Sequence, residues 1–270
     1  MKRYNPTSPA RRQMEKIDFV FTAKKPFKGL VSSFHRSVGR NNFGRITTRH
    51  RGGGVKRLFR EIDFLYDKKD VDAKVETMEY DPNRSAFIGR VVYRDGERRY
   101  VLLPHGLVVG STFVVSERAP SEVGNRLPLK NIPVGTSVFN VELTPGVGAK
   151  LIRSAGVSAE VLATEGGYTQ LKMPSGEIRK VSSESWATIG SLSNPESNLM
   201  SIGKAGRMRH LGRRPTVRGA AMNPRDHPYG GGEGRQPRGT RRPKTMWGKI
   251  IGGVKTRRNK MTDKFIIKRR

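Results

Sequence analysis

Between residues 61 and 200 the apolar positions fall in short runs of nearly alternating pattern, and turn-forming residues separate the runs. Val55 to Phe64 reads as the approach to a first strand. Lys74 to Tyr80 alternates in part. Asp81-Pro82-Asn83-Arg84 then predicts a turn, because proline presets φ and Asp or Asn caps the backbone locally. Ala86 to Arg94 predicts a strand, Asp95-Gly96 a tight hairpin, Arg98 to Leu103 the return and Thr112 to Ser116 a further short strand. After Pro128 a second set begins. Val138 to Leu143 is strand-like, and Ser158 to Thr164, Tyr168 to Met173 and Glu177 to Val181 form a meander turning at Gly166-Gly167 and Pro174-Ser175-Gly176. Two closely spaced sets of short strands predict two small closed barrels, each with a compact core and no long open edge.

Outside this stretch the periodicity fails. Pro6, Pro9 and Pro26 interrupt any helix in the first sixty residues. Asn194-Pro195-Glu196 predicts a short helix with an N-cap, proline at the first position and an acid in the first turn. Beyond Gly203 the chain is dominated by Gly, Pro, Arg and Lys, which predicts an extended arm with one helical turn near Met208. The expected division is a basic N-terminal extension over 1–60, a barrel over 61–125, a second barrel over 126–200 and a basic C-terminal arm over 201–270.

Charge follows the same division. Residues 1–60 hold 16 basic and 2 acidic side chains, residues 61–200 hold 16 and 18, and residues 201–270 hold 21 and 3. A nearly neutral centre is flanked by two cationic ends, and the net charge of +30 repels itself until a polyanion neutralises it. Leu, Ile, Val and Phe supply 39 of the 140 central residues but only 9 of the last 70. The centre can therefore bury a core, whereas the last segment is expected to stay unfolded without a partner.

Several classes are set aside. Without cysteine there is no disulfide and no thiolate zinc site. No run of eighteen apolar residues exists, Met1-Lys-Arg-Tyr-Asn-Pro6 lacks a signal peptide's apolar stretch, and no membrane partner is expected. There is no HExxH, no carboxylate cluster with metal spacing and no dinucleotide fingerprint, so no catalytic residue, metal ligand or cofactor is assigned.

Three stretches carry candidate chemistry. Gly39 to Gly54 mixes glycine with Arg45, Arg49 and Arg51, with Lys56 just beyond. Glycine lets a backbone approach phosphate closely, and its N–H groups join the cations in binding it. Gly52-Gly-Gly-Val-Lys-Arg57 lacks the spacing and hydroxyl of a Walker A loop. In the second stretch, Gly219 to Arg235, Asp226 precedes His227 between proline and glycines. No Ser or Cys nucleophile is tied to this histidine, which reads as structural or RNA-contacting. The third, Lys255 to Arg270, ends the cationic segment and reads as a polyanion track, with Trp247 and Phe265 open either to base stacking or to packing on the protein.

In this order the segments resemble the universal family of large ribosomal subunit protein two. The resemblance rests on Gly39-Arg-Asn-Asn42, Gly44-Arg-Ile-Thr-Thr-Arg-His50, Glu79-Tyr-Asp-Pro-Asn-Arg-Ser-Ala86, Asn131-Ile-Pro-Val-Gly135, Arg214-Pro-Thr-Val-Arg-Gly219, Met222-Asn-Pro224, Asp226-His-Pro228, Gly230-Gly-Gly-Glu-Gly-Arg235 and Thr262-Asp-Lys-Phe265. It implies an OB-fold barrel followed by an SH3-like barrel, with basic arms at both ends. It implies binding to large-subunit rRNA near the peptidyl transferase region, contact with other ribosomal proteins and with the small subunit, and any magnesium held mainly through the RNA. The family's noted histidine corresponds to His227. Tyr229, Arg225 and the Gln-Pro-Arg-Gly after Arg235 depart from its usual pattern. The motif set and the absence of a transit-like extension favour a bacterial, cytoplasmic ribosome over an organellar one.

The residues expected to touch RNA are Arg40, Arg45, Arg49, His50, Arg51, Gly52, Gly53, Gly54, Lys56, Arg57, Arg84, Arg153, Lys204, Arg207, Arg214, Arg218, Asn223, Asp226, His227, Arg235, Lys255, Arg257, Arg258, Lys260 and Lys264. The rival is a general nucleic-acid-compacting protein, which explains the charge but neither the ordered motifs nor the β-rich centre.

Overall fold

The computed structural model describes residues 1–270 except 20, 24, 235, 236, 254–256 and 259. The expected contacts Arg235 and Lys255 lie outside the described residues. The chain forms two compact units. The first contains Met1–His35, Lys56–Gly203 and Lys264–Arg270, and the second contains Arg36–Val55 and Lys204–Asp263.

In the first unit a four-stranded antiparallel sheet has the order Arg98–Leu102, Ile88–Tyr93, Ala73–Glu79, Thr112–Phe113. Ala73 and Val75 point inward with Lys74 exposed between them, as a half-buried strand requires. A register shift between Val75 and Thr77 changes which side chains face the core. Glu79 is thereby buried, where its carboxylate accepts the Tyr100 hydroxyl at 2.7 Å, and the same hydroxyl oxygen accepts the Phe27 N–H at 2.8 Å. Gly89 is required by packing, since a Cβ there would stand 2.6 Å from Leu103 Cδ2.

The second sheet of this unit has seven strands, all antiparallel, in the order Ile266–Lys268, Ile178–Ser182, Tyr168–Lys172, Ala159–Glu165, Ser137–Phe139, Trp186–Ile189, Arg126–Pro128. The meander expected over 158–181 is present, and its tight turn uses Gly166 and Gly167 at φ 55° and 76°. Both sheets are strongly curled half-barrels, and the architecture is mainly β, an OB-fold followed by an SH3-like barrel. The apolar cores centre on Ile88, Leu127, Phe139 and Leu171, and on Val75, Val91, Leu103 and Phe113.

A charged pair sits inside. Arg126, 1% exposed, donates to Glu142 Oε1 at 3.1 Å, to the Asn140 carbonyl at 2.7 Å and to Thr188 Oγ1 at 3.3 Å, and its guanidinium lies 4.6 Å from the centre of the Tyr66 ring. Glu142 also accepts N–H bonds from Gly146 and Trp186. Burial pushes the arginine's pKa down, and Tyr66 and Glu142 oppose that shift.

Two sequence expectations need revision. Asn194 does not cap a helix with its side chain. It adopts φ 65°, its amide donates to the Ser85 carbonyl at 2.6 Å, and only a 3-10 turn, Pro195–Asn198, follows. The end of the chain is not wholly a polyanion track either. Phe265 lies 6.2 Å from Tyr168 between ring centres, and Ile266–Lys268 extends the seven-stranded sheet. The β-branched pair Ile266-Ile267 suits a sheet edge better than a solvated run. Among the described residues no helix is long and apolar enough to cross a membrane.

Candidate nucleic-acid interface

The second unit is built from two stretches far apart in sequence. Residues 39–48 form a tight loop. Asn41 Oδ1 accepts the N–H groups of Phe43 and Arg45 at 3.1 and 2.9 Å, and the Gly39 carbonyl accepts those of Thr47 and Thr48 at 2.9 and 3.1 Å. Gly39, at φ 79°, cannot be replaced without strain, because a Cβ would stand 2.3 Å from the Thr48 carbonyl oxygen. Residues 50–55 then run against 210–215. Gly52 N–H donates to the Gly212 carbonyl, Arg214 N–H to that of His50, and Val55 N–H to that of His210, each at 3.0 Å. Gly54, at φ 88°, is pressed against this strip, and the Arg36 guanidinium donates to its carbonyl at 3.3 Å.

This pairing opens a cleft of roughly 600 Å³ lined by Val38, Arg40, Ile46, Thr48, Arg49, His50, Arg51, Gly52, Gly53 and Arg214. Seven residues expected to bind RNA thus meet in one place. His50, at φ 58°, is fixed by its Nδ1 contact to the Pro215 carbonyl at 3.0 Å. Beside the cleft, Arg49 lies 5.2 Å from the centre of the Trp247 ring and donates to Met246 Sδ at 2.7 Å, while the ring is 69% exposed. Trp247 therefore both packs on an arginine and presents a face outward.

A turn over 222–231 positions His227. Its backbone N–H and that of Asp226 donate to the Asn223 carbonyl, and Gly231 N–H donates to that of Met222 at 3.1 Å. Gly230 and Gly219 are sterically required. A Cβ at Gly230 would lie 2.3 Å from Asn223 O, and one at Gly219 would lie 2.6 Å from the His227 ring. His227 Nδ1 accepts the Tyr229 N–H at 3.1 Å, which leaves Nε2–H as the ring's donor. An aspartate orienting a catalytic histidine would need that Nδ1, so Asp226 and His227 do not form an acid–base pair. The Tyr229 hydroxyl accepts the Lys244 N–H, so the departure at Tyr229 braces the neighbouring segment.

The other expected contacts divide in two. In the second unit, Arg45, Lys204, Arg218, Asn223, Asp226, Arg258 and Lys260 are exposed, Arg207 is on the helix Ala205–His210 over the expected turn at Met208, and Arg257 is bonded to Asp263 at 3.0 Å. In the first unit Arg57 donates to the Pro82 carbonyl at 2.8 Å, Arg84 is neutralised by the fully buried Asp81, and Arg153 lies 4.6 Å from the Phe64 ring centre. Lys56 is exposed, and Lys264 stands over Phe265 at 5.2 Å. Arg36 and Arg213, not among the expected contacts, belong to the paired strip, with Arg213 bridging to Arg51. Adjacency of Arg213 to Arg214 was the one signal for it.

Electrostatics sets the cleft apart from the first unit. In the first, cations meet carboxylates: Arg90 and Arg98 hold Glu76 at 2.9 and 3.1 Å, and Arg99 holds Asp63 at 2.8 Å together with Asp67. The Arg99 hydrogen bond keeps the Asp67 carboxyl below the usual range. The cleft, in contrast, has no acidic residue among its described lining. Nor do the described residues contain a group of three His, Cys, Asp or Glu able to hold a metal.

A curled β scaffold and a cationic cleft are features in keeping with an RNA-binding structural protein. Residues 27–116 match the family model for the RNA binding N-terminal domain of Ribosomal Proteins L2, and residues 122–248 match that for their C-terminal domain. The chain belongs to the ribosomal protein L2 family. It is an RNA-binding protein of the large ribosomal subunit, located in the ribosome among other ribosomal proteins, and not an enzyme.

Proposed function

We propose that the chain binds large-subunit rRNA through its cationic second unit, near the peptidyl transferase region, and supports association of the two subunits in a bacterial-type ribosome. The observation that carries the reading is the convergence of Arg40, Arg49, His50, Arg51 and Arg214 on one cleft without a carboxylate. Phosphate contacts supply affinity and orientation, and RNA shape supplies much of the selectivity. His227 offers Nε2–H to a phosphate or ribose, and any magnesium is held mainly by the RNA. The location near the peptidyl transferase region and the subunit contact rest on the family resemblance.

The test is binding of a large-subunit rRNA fragment across a salt series. With about ten phosphates engaged, log K is expected to fall against log salt with a slope of roughly −7 to −9, and a slope near zero would refute the reading. Co-sedimentation with large subunits in high-salt gradients separates it from general nucleic-acid compaction.

A further inference from the structure

We propose that the cleft formed by residues 38–53 and Arg214 receives one unstacked RNA nucleotide, its phosphate on the arginines and its base against Val38 and Ile46. This rests on the RNA-binding reading and names the kind of RNA that the site selects.

The cleft is more than a cationic surface. Its volume of roughly 600 Å³ lies within the range of about 300–1,000 Å³ usual for small-ligand pockets. A phosphate track needs only cations and backbone N–H groups, yet this cleft also has apolar walls, the half-buried Val38 and Ile46, which is 63% exposed. A paired helix presents its phosphates outward and keeps its bases stacked inside, so it cannot fill a concave, partly apolar site. An extruded nucleotide brings an anionic group and a flat apolar face together.

The backbone supports the same ligand. Among the described residues no acceptor takes the N–H of Gly53, which lines the cleft at φ 61°, so this backbone donor is available to an anion there. Val38 holds φ 45°, a strained position for a β-branched residue, next to Gly39, whose contact with Thr48 leaves no room for a Cβ. The loop is thus held in shape by its own bonds before any ligand arrives. Trp247, flanked by Arg49, provides an exposed ring on which a neighbouring base can stack.

The experiment compares two RNA hairpins of equal length and charge with the full chain. One is fully paired, and the other carries 2-aminopurine as a single-nucleotide bulge. The bulged hairpin is expected to bind on the order of tenfold more tightly, with a change in 2-aminopurine emission. In Val38→Ala/Ile46→Ala the ratio of the two affinities should shrink toward one. Ile46→Ala alone, at an exposed side chain, asks the same question if the double variant does not fold. Equal affinities with a steep salt dependence would overturn the nucleotide site and leave RNA binding standing. Loss of binding to both hairpins at moderate salt would remove the reading beneath it as well. An equal response to free adenosine monophosphate would assign the cleft to small nucleotides and overturn the RNA proposal.

Discussion

Arg126 and Glu142 meet at 3.1 Å in the interior, and neither side chain is more than 2% exposed. Removing one partner strands the other charge in the core. Glu142→Ala is expected to destabilise the fold by about 3–5 kcal/mol, whereas Arg126→Met combined with Glu142→Leu should recover only part of the loss, because the Trp186 and Gly146 N–H groups still lose their acceptor. Urea unfolding followed by emission of the buried Trp186, in a Trp247→Phe background, measures both. Equal losses in the single and double variants would show that the pair is not coupled.

Tyr100 sets an alkaline limit. Burial raises its hydroxyl from 10.0 to about 12, Glu79 adds to the rise, and the Phe27 N–H opposes it. The folded protein therefore keeps a proton that the unfolded chain releases near pH 10. Its contribution is complete below pH 10 and is lost as pH rises toward 12. Denaturation midpoints at pH 9, 10 and 11 should fall, and Tyr100→Phe should flatten the decline.

Not every arginine has the same role. Arg51→Gln and Arg214→Gln, both in the cleft, should each shallow the salt slope of rRNA binding by about 0.7–0.9. Arg84→Gln leaves Asp81 buried without its partner, so thermal unfolding should register it first. A slope change for Arg84→Gln as large as that for Arg51→Gln would place Arg84 on phosphate instead.

A substitution without any change of charge should also weaken binding. Gly230→Ala forces the turn around Asn223 to move and displaces His227 with it. A loss of about 1–2 kcal/mol, near tenfold in Kd, is expected with the salt slope unaltered. Titrations at two salt concentrations decide it.

For His227 itself, the bond from Tyr229 N–H to Nδ1 predicts an anchoring role. His227→Ala should reduce assembly or subunit joining more than peptide-bond formation. Normally assembled particles with a selective loss of the chemical step would contradict this.

The meander from Ala159 to Ser182 was legible because alternation and glycine turns act locally. Trp186–Ile189 was not, because all four of its residues are buried and no alternation survives. Arg126 was hidden for a related reason. A charged residue at a core position breaks the apolar pattern, and its compensation by Glu142, sixteen residues later, is purely tertiary. At the interface, composition pointed to the Gly39–Gly54 stretch and to Arg214 separately. Their meeting depends on backbone bonds such as Gly52 to Gly212, which side-chain identity does not encode. The distinction between Arg51 and Arg84 was likewise out of reach, since it rests on a buried aspartate three residues from one of them.

The second unit joins residues 36–55 to residues 204–263, and this imposes an order on biosynthesis. At about 5–20 residues per second, the ribosome takes roughly seven to thirty seconds to travel from residue 55 to residue 204. During that interval the arginine loop has emerged without the strip that completes it, while strands of the two half-barrels become available to pair. The charge of residues 1–60 is present from the start, but the cleft that orders it is complete only when Arg214 has been translated, after the scaffold between them.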